Sequence, residues 1–195
     1  MELMSRYPDN YFDLAIVDPP YGILNKIVDG GGKRNSKFDN NRDSIKWDEV
    51  PNNEYFNELF RVSKNQIIFG GNYFDLPPTR CNLIWDKMQV FNGSDFELAW
   101  TSFDKPSKAF RMSRAEAYCG GKIHPTQKPV KLYEWILRNY AKEGNKILDT
   151  HLGSGSIAIA CHNYYFNLTA CELDTKHYNN AKKRIELHKK QVRMF

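Results

Sequence analysis

The chain has 195 residues, enough for one domain with a sizeable core, and 41% of them are hydrophobic, an ordinary share for a globular protein. No apolar run reaches bilayer length, and the polar, partly acidic first ten residues do not resemble a signal peptide. The net charge of +5 suits a polyanionic partner without requiring one; Cys81, Cys119, Cys161 and Cys171 form no Cys-x-x-Cys pair, so neither a zinc site nor a disulfide framework is indicated, and reduced thiols in a cytoplasm are expected.

Residues 1–10 read as a short helix stopped by Pro8-Asp9-Asn10. The apolar run Phe12 to Val17 then reads as a buried strand ending at Asp18, where Pro19 and Pro20 forbid continuation as strand or helix. Asp18-Pro19-Pro20-Tyr21 therefore puts a carboxylate, a rigid corner and an aromatic ring at the end of a strand, where open α/β sheets bind ligands. A long polar, glycine-rich segment with many lysines follows, from Lys26 to Lys46; it reads as a loop that orders on substrate.

Pro51 to Ser63 reads as a helix with an apolar face of Tyr55, Phe56, Leu59, Phe60 and Val62. Strands follow at Gln66–Phe69, Cys81–Trp85, Phe96–Thr101 and Lys108–Met112, a run that suggests an antiparallel portion of the sheet. Phe69, Tyr73, Phe74, Trp85 and Trp100 are expected in the core, and Asn72 in a turn. Between Lys105 and Lys122 stand Lys105, Lys108, Arg111, Arg114 and Lys122 against one acid, Glu116. With Lys33 and Arg34 of the earlier loop, Arg111 and Arg114 are candidate nucleic-acid contacts.

Pro129 is expected at the first position of a helix with Val130, Tyr133, Ile136, Leu137 and Tyr140 on one face. A strand over residues 146–148 runs into Asp149, then Thr150-His151-Leu152-Gly153-Ser154-Gly155-Ser156 and a helix through Cys161. Phe166 to Cys171 is a strand closed by Glu172, and Asp174 caps a last helix holding Tyr178, Ala181 and Ile185. Its basic face, with Lys182, Lys183, Lys189 and Lys190, is expected in solvent. Strand, glycine turn, helix and strand-end acid make a nucleoside-cofactor pattern. Glycines let the backbone approach a ligand, the helix N-terminus offers N–H groups, and Glu172 lies at the roughly 20-residue spacing expected for a ribose-binding acid. Gly153, Gly155 and Ala158 also fit a dinucleotide form, but only one helix follows Glu172, which leaves no second mononucleotide half.

In order along the chain, Asp18-Pro19-Pro20-Tyr21, His124-Pro125-Thr126-Gln127-Lys128-Pro129 and the block from Asp149 to Glu172 resemble the DNA amino-methyltransferases of the β class. The central stretches 68–74, 85–87 and 97–103 are similar to phage and prophage adenine methyltransferases, so the resemblance covers nearly the whole chain. It implies an α/β Rossmann-like methyltransferase fold: a mostly parallel sheet with one reversed strand, helices on both faces, and circularly permuted motif order. The strands ending at Asp18 and Asp149 would be central neighbours. It also implies one domain over 1–195, with a catalytic half (1–104), a DNA-contact segment (105–123) and a cofactor half (124–195). The N-terminal edge strand of relatives is expected to be missing.

The implied cofactor is S-adenosylmethionine, with Gly153 and Gly155 flanking its methionine part, Asp149 near its ammonium, Glu172 on the ribose hydroxyls, and Thr126 and Lys128 as further contacts. The implied partner is double-stranded DNA, without a membrane, with a homodimer as a further expectation. Asp18 and the Pro19 carbonyl would accept the N–H bonds of a flipped adenine's amine, with Pro20 fixing the corner and Tyr21 stacking on the base. Two departures stand out. His151 replaces the usual phenylalanine, so cofactor affinity is expected to be weaker or pH-dependent, and no large target-recognition insert is present. The alternatives are cytosine exocyclic-amine methylation (where serine more often replaces Asp18), a non-catalytic nucleic-acid-binding subunit, and a nicotinamide-dependent dehydrogenase.

Overall fold

The computed structural model describes residues 1–23, 48–89, 94–124 and 126–191. Helix α1 (Glu2–Ser5) leads into strand β1 (Leu14–Val17). Helix α2 (Asn53–Val62), strand β2 (Gln66–Phe69) and a single 3₁₀ turn (Gly71–Tyr73) follow. Next come β3 (Asn82–Asp86), β4 (Phe96–Thr101), β5 (Lys108–Arg111) and α3 (Arg114–Ala117). The chain then forms α4 (Val130–Tyr140), β6 (Lys146–Asp149), α5 (Ser156–Asn163), β7 (Asn167–Ala170) and α6 (Thr175–Lys189).

Among the described residues, seven strands form one sheet in the order β5-β3-β4-β2-β1-β6-β7. Strand β1 is parallel to both β2 and β6, and β6 is parallel to β7. Only β4 is reversed, antiparallel to β2 and to β3. The expected antiparallel run is therefore corrected at its end: β5 returns alongside β3 in parallel. From β1 the chain winds outward through β2, and from β6 it winds the other way to β7. The switch point lies between β1 and β6, beyond Asp18 and Asp149.

Strand β1 is buried along its whole length, as its unbroken apolar run requires. Alternation sends Leu14 and Ile16 into one core with β6, α4 and α5, and Ala15 and Val17 into a second with α1 and α2. The caps follow from local chemistry. The Asn52 side chain accepts the Tyr55 N–H at 3.0 Å, and Asp174 accepts that of His177 at 2.7 Å. Pro129 proves to be the cap of α4, with extended ψ of 143°, rather than its first helical residue. The last helix buries only Ala181 fully, and Tyr178 stays exposed, because a helix lying on α5 at the edge of the fold has a single narrow apolar stripe. Phe69, Trp85 and Trp100 are buried as expected, while Tyr73 is 46% exposed.

Candidate active site

A cavity of about 600 Å³ opens at the switch point. Its walls come from the Asp18–Tyr21 corner, from Thr126 and Lys128 before α4, from the turn between β6 and α5, and from Glu172 after β7. Residues about 130 positions apart in sequence are neighbours here because β1 and β6 pair directly.

At the β1 end, Asp18 is held from two sides. The Tyr21 hydroxyl donates to Asp18 Oδ1 at 2.6 Å, and the Lys128 ammonium donates to Oδ2. Burial, reinforced by the charges of Asp18 and Glu97, raises the Tyr21 phenol well above its ordinary pKa, so Tyr21 remains a donor. Its ring lies against the backbone at Gly70 and stacks on Tyr73, centroids 5.0 Å apart and planes 16° from parallel. Tyr73, expected in the core, is thus a second aromatic layer behind Tyr21; it stays exposed because the 3₁₀ turn after β2 lifts it off the sheet.

Gly70 permits this arrangement. It adopts φ of +67°, and a Cβ there would come 2.2 Å from Tyr21 Cε1. Gly70→Ala is expected to push the Tyr21 ring off Asp18, to cost about 1–3 kcal/mol of stability, and to slow turnover about tenfold or more. Urea unfolding and single-turnover kinetics of the variant check both figures.

Lys128 was expected beside the cofactor; the structure places its ammonium against Asp18. It is 4% exposed, and its ammonium contacts Asp18, Glu97 Oε2 at 3.4 Å and the face of Phe69, 4.5 Å from the ring centroid. Burial works against its charge, but the carboxylates of Asp18 and Glu97 outweigh burial and raise its pKa. Glu97 in turn meets Lys87 at 3.1 Å. Burial pushes the Glu97 carboxyl up, yet the two ammonium groups prevail and hold it below its ordinary value.

At the β6 end, Gly153 lines the cavity with φ of +52°, facing the ring of His124. Glu172 accepts the Gly153 N–H at 2.8 Å and the Asp174 N–H at 3.0 Å. Two residues expected against the ligand stand back from it. Gly155 turns toward α6, where a Cβ would meet Ile185 at 3.1 Å and Ala181 at 3.3 Å, so its lack of a side chain serves helix packing. Asp149 lies beneath the cavity floor, 2% exposed, accepting the His151 N–H at 2.9 Å. Burial, added to by the charges of Asp18 and Glu172, pushes the Asp149 carboxyl up to about 8.

His151 lines the cavity and is tied to Thr150 Oγ1 at 3.0 Å through Nδ1, and Thr150 Oγ1 lies 2.6 Å from the Tyr55 hydroxyl. Burial lowers its pKa to about 4, which favours the neutral ring near neutral pH and moves any pH dependence of this side chain into the acid range.

Thr126 reaches His124 Nδ1 at 3.1 Å. Arg111 is exposed on β5 and pairs with Asp86 at 3.3 Å, and Arg114 is exposed at the start of α3. Lys33, Arg34 and the loop from Lys26 to Lys46 lie outside the described residues. Sequence reasoning missed Glu97, a single acid in an apolar strand, and the wall formed by residues 48–52 just before α2. It also missed His177, which lines the cavity with a buried Nδ1 lacking a hydrogen-bond partner among the described residues.

Comparison with known proteins bears on this arrangement. A family model described as DNA methylase, of N6/N4 type, matches residues 78–183. The type II methyltransferase M.HpaI of Haemophilus parainfluenzae is 31% identical over 83 residues, covering 42% of this chain and 26% of that protein. The chain thus spans about a quarter of that relative's length. The solved M1.HpyAVI–SAM complex has a TM-score of 0.58 at 21% identity, over 93% of this chain and 92% of that one. The PvuII DNA methyltransferase, described as cytosine-N4-specific, has a TM-score of 0.61 at 14% identity, over 94% and 82%. These likenesses show the fold to be the Rossmann-like one of methyltransferases.

Proposed function

The chain belongs to the N6/N4 family of DNA methylases, and on that footing we propose that it moves the methyl group of S-adenosylmethionine to the exocyclic amine of adenine in double-stranded DNA. One observation carries the reading: the Asp18–Pro19–Pro20–Tyr21 corner and the Gly153–Glu172 turn share a single cavity at the sheet's switch point.

The residues present fit the cofactor. Glu172 offers carboxylate oxygens to ribose hydroxyls, Gly153 leaves backbone bare, and the buried Nδ1 of His177 lacks a partner among the described residues. Leu173, 96% exposed at the cavity rim, offers an apolar contact to a planar base. S-adenosylmethionine, held there, would supply a sulfonium-activated methyl; the amine's lone pair would form the new N–C bond, the C–S electron pair would return to sulfur, and the proton shed by the methylated amine would pass to water. The side chains do the rest. Asp18 and the Pro19 carbonyl accept the amine's two N–H bonds, drawing nitrogen toward tetrahedral geometry, and Asp18 offsets its growing positive charge. A base in a duplex is out of reach, so it is flipped toward Tyr21, which Tyr73 backs. Lys33, Arg34, Arg111 and Arg114 are assigned to phosphate contact. The halves 1–104 and 124–195 supply the catalytic and cofactor walls, with 105–123 as the DNA segment.

Adenine is preferred because Asp18 stands where cytosine-directed relatives more often carry serine. Nucleoside mass spectrometry on DNA from methylation-deficient cells expressing the chain is expected to show N6-methyladenine. N4-methylcytosine instead would overturn the base assignment and keep the mechanism; no modified base would overturn the reading.

Cofactor binding is expected to release a proton from Asp149. Its folded pKa of about 8 lies above the ordinary 3.8, so it costs the free chain stability as pH rises from about 4 to about 8. A cationic ligand in the cavity above draws that pKa down. Cofactor affinity therefore rises with pH up to about 8, and near pH 6.5, where a free α-amino group of pKa about 7.7 is still charged, a net release of up to one proton per ligand bound is expected. Calorimetry in buffers of different ionisation enthalpy measures it. Asp149→Asn should abolish the release, and His151→Phe should keep it.

A further inference from the structure

The side chains Lys87, Glu97, Lys128 and Asp18 form an alternating row of charges that ends at the reacting carboxylate. Glu97 lies at its centre, 3.1 Å from the Lys87 ammonium and 3.4 Å from that of Lys128. Nothing in the cavity wall requires it, since Glu97 does not line the cavity.

We propose that Glu97 is the positioning residue of methyl transfer, acting through Lys128 to leave the negative charge of Asp18 effective at the target amine. The inference rests on the function proposed above. Lys128 is needed to orient Asp18, because it fixes Oδ2 while Tyr21 holds Oδ1. Taken alone, however, its ammonium cancels the carboxylate it orients. The amine becomes more positive as its new bond to carbon forms, and a neutral Asp18–Lys128 pair would do little for it.

Glu97 restores the imbalance. Its carboxylate adds a second negative charge beside the Lys128 ammonium, so that two carboxylates outweigh one ammonium at the reacting end. Two further cations are within electrostatic reach: Lys122, whose charge Glu97 favours, and Arg114, which acts against Lys122. Without Glu97 the positive charges of Lys87 and Lys128 would stand with one carboxylate fewer to offset them. The row is partly shielded, since Lys128 is buried and the Lys87 side chain is 12% exposed, although that of Glu97 is 29% exposed, and shielded charges act further than they do in water.

The test is single-turnover methyl transfer from tritiated S-adenosylmethionine to long unmethylated double-stranded DNA. Cofactor affinity by calorimetry and thermal melting are followed in parallel. Glu97→Gln keeps shape and hydrogen-bond acceptance and removes the charge. Its rate is expected to fall about tenfold or more, with cofactor affinity within about twofold of wild type. Glu97→Asp, which returns the charge, should recover most of the rate. Lys87→Met removes a positive charge from the far end and should raise the rate, opposite in sign to Glu97→Gln; it stands as the test if Glu97→Gln melts early. A wild-type rate in Glu97→Gln overturns the inference, as does Glu97→Asp no better than Gln, a loss carried by cofactor affinity, or a fall in Lys87→Met. Absence of transfer by the wild-type chain is a different result: it overturns the function itself, and the inference with it.

Discussion

Asp18→Ala is expected to slow methyl transfer by about 10³-fold or more while leaving cofactor binding nearly intact. The two effects separate because the site has two ends. Glu172 and Gly153 bind each other directly and do not lean on Asp18. The amine, by contrast, is a poor nucleophile whose lone pair is delocalised into the ring until acceptors hold its N–H bonds. The Pro19 carbonyl would survive the substitution, since two prolines fix the corner irrespective of the side chain before them. One acceptor would then remain, without charge. Asp18→Asn refines the test: it keeps the shape but offers an amide where an anion stood, and should also lose at least about two orders of magnitude. Single-turnover assays with calorimetry decide it. Activity within tenfold of wild type in both variants would remove Asp18 from the chemistry.

Much of this was legible in the sequence, for a physical reason. A strand buried on both faces reads as an unbroken apolar run, so β1 announced itself, while β6, with only Ile147 and Leu148 apolar, was marked by the glycine turn after it, and the acids closing the two strands marked the switch point. Turn chemistry is local as well: Pro19-Pro20, Gly153 and the Asp174 cap act through their own backbones. Illegible were the properties set by partners distant in sequence. The neutrality of His151 comes from burial beside Thr150 and Tyr55, 95 positions away from each other. Gly155 reads as ligand-facing in any glycine turn, and only the path of α6 shows that it makes room for Ile185. Glu97 was one acid in a largely apolar strand. Its meaning depends on Lys87 and Lys128, which reach it from a neighbouring strand's end and from the segment before α4. Tyr73 looked like core because aromatic residues usually are; a one-turn 3₁₀ segment places it on the surface, against Tyr21.

Lys128→Met should cost about 3–5 kcal/mol of folding stability, a drop in melting temperature of roughly 6–20 °C for a chain of this size. The lysine is buried between two carboxylates, and no other described cation bonds to Asp18. Removing it leaves Asp18 and Glu97 facing each other in a low-dielectric site, relieved only by Tyr21 on one side and Lys87 on the other. The sign of the pH effect follows. In wild type the raised Lys128 pKa makes its pairing stabilising throughout the neutral range, and that contribution fades only at strongly alkaline pH. In the variant the carboxylates repel, so acid, which neutralises them, should restore part of the lost stability. Melting curves from pH 5 to pH 8 are therefore expected to fall with pH more steeply in Lys128→Met than in wild type, and parallel curves would sink the argument. Buried ion pairs are poor devices for stability alone, since apolar residues of the same volume often do as well or better. A row of four charges ending at Asp18 makes physical sense if a carboxylate must be aimed at that spot, because the buried cation that aims it calls for a counter-charge of its own.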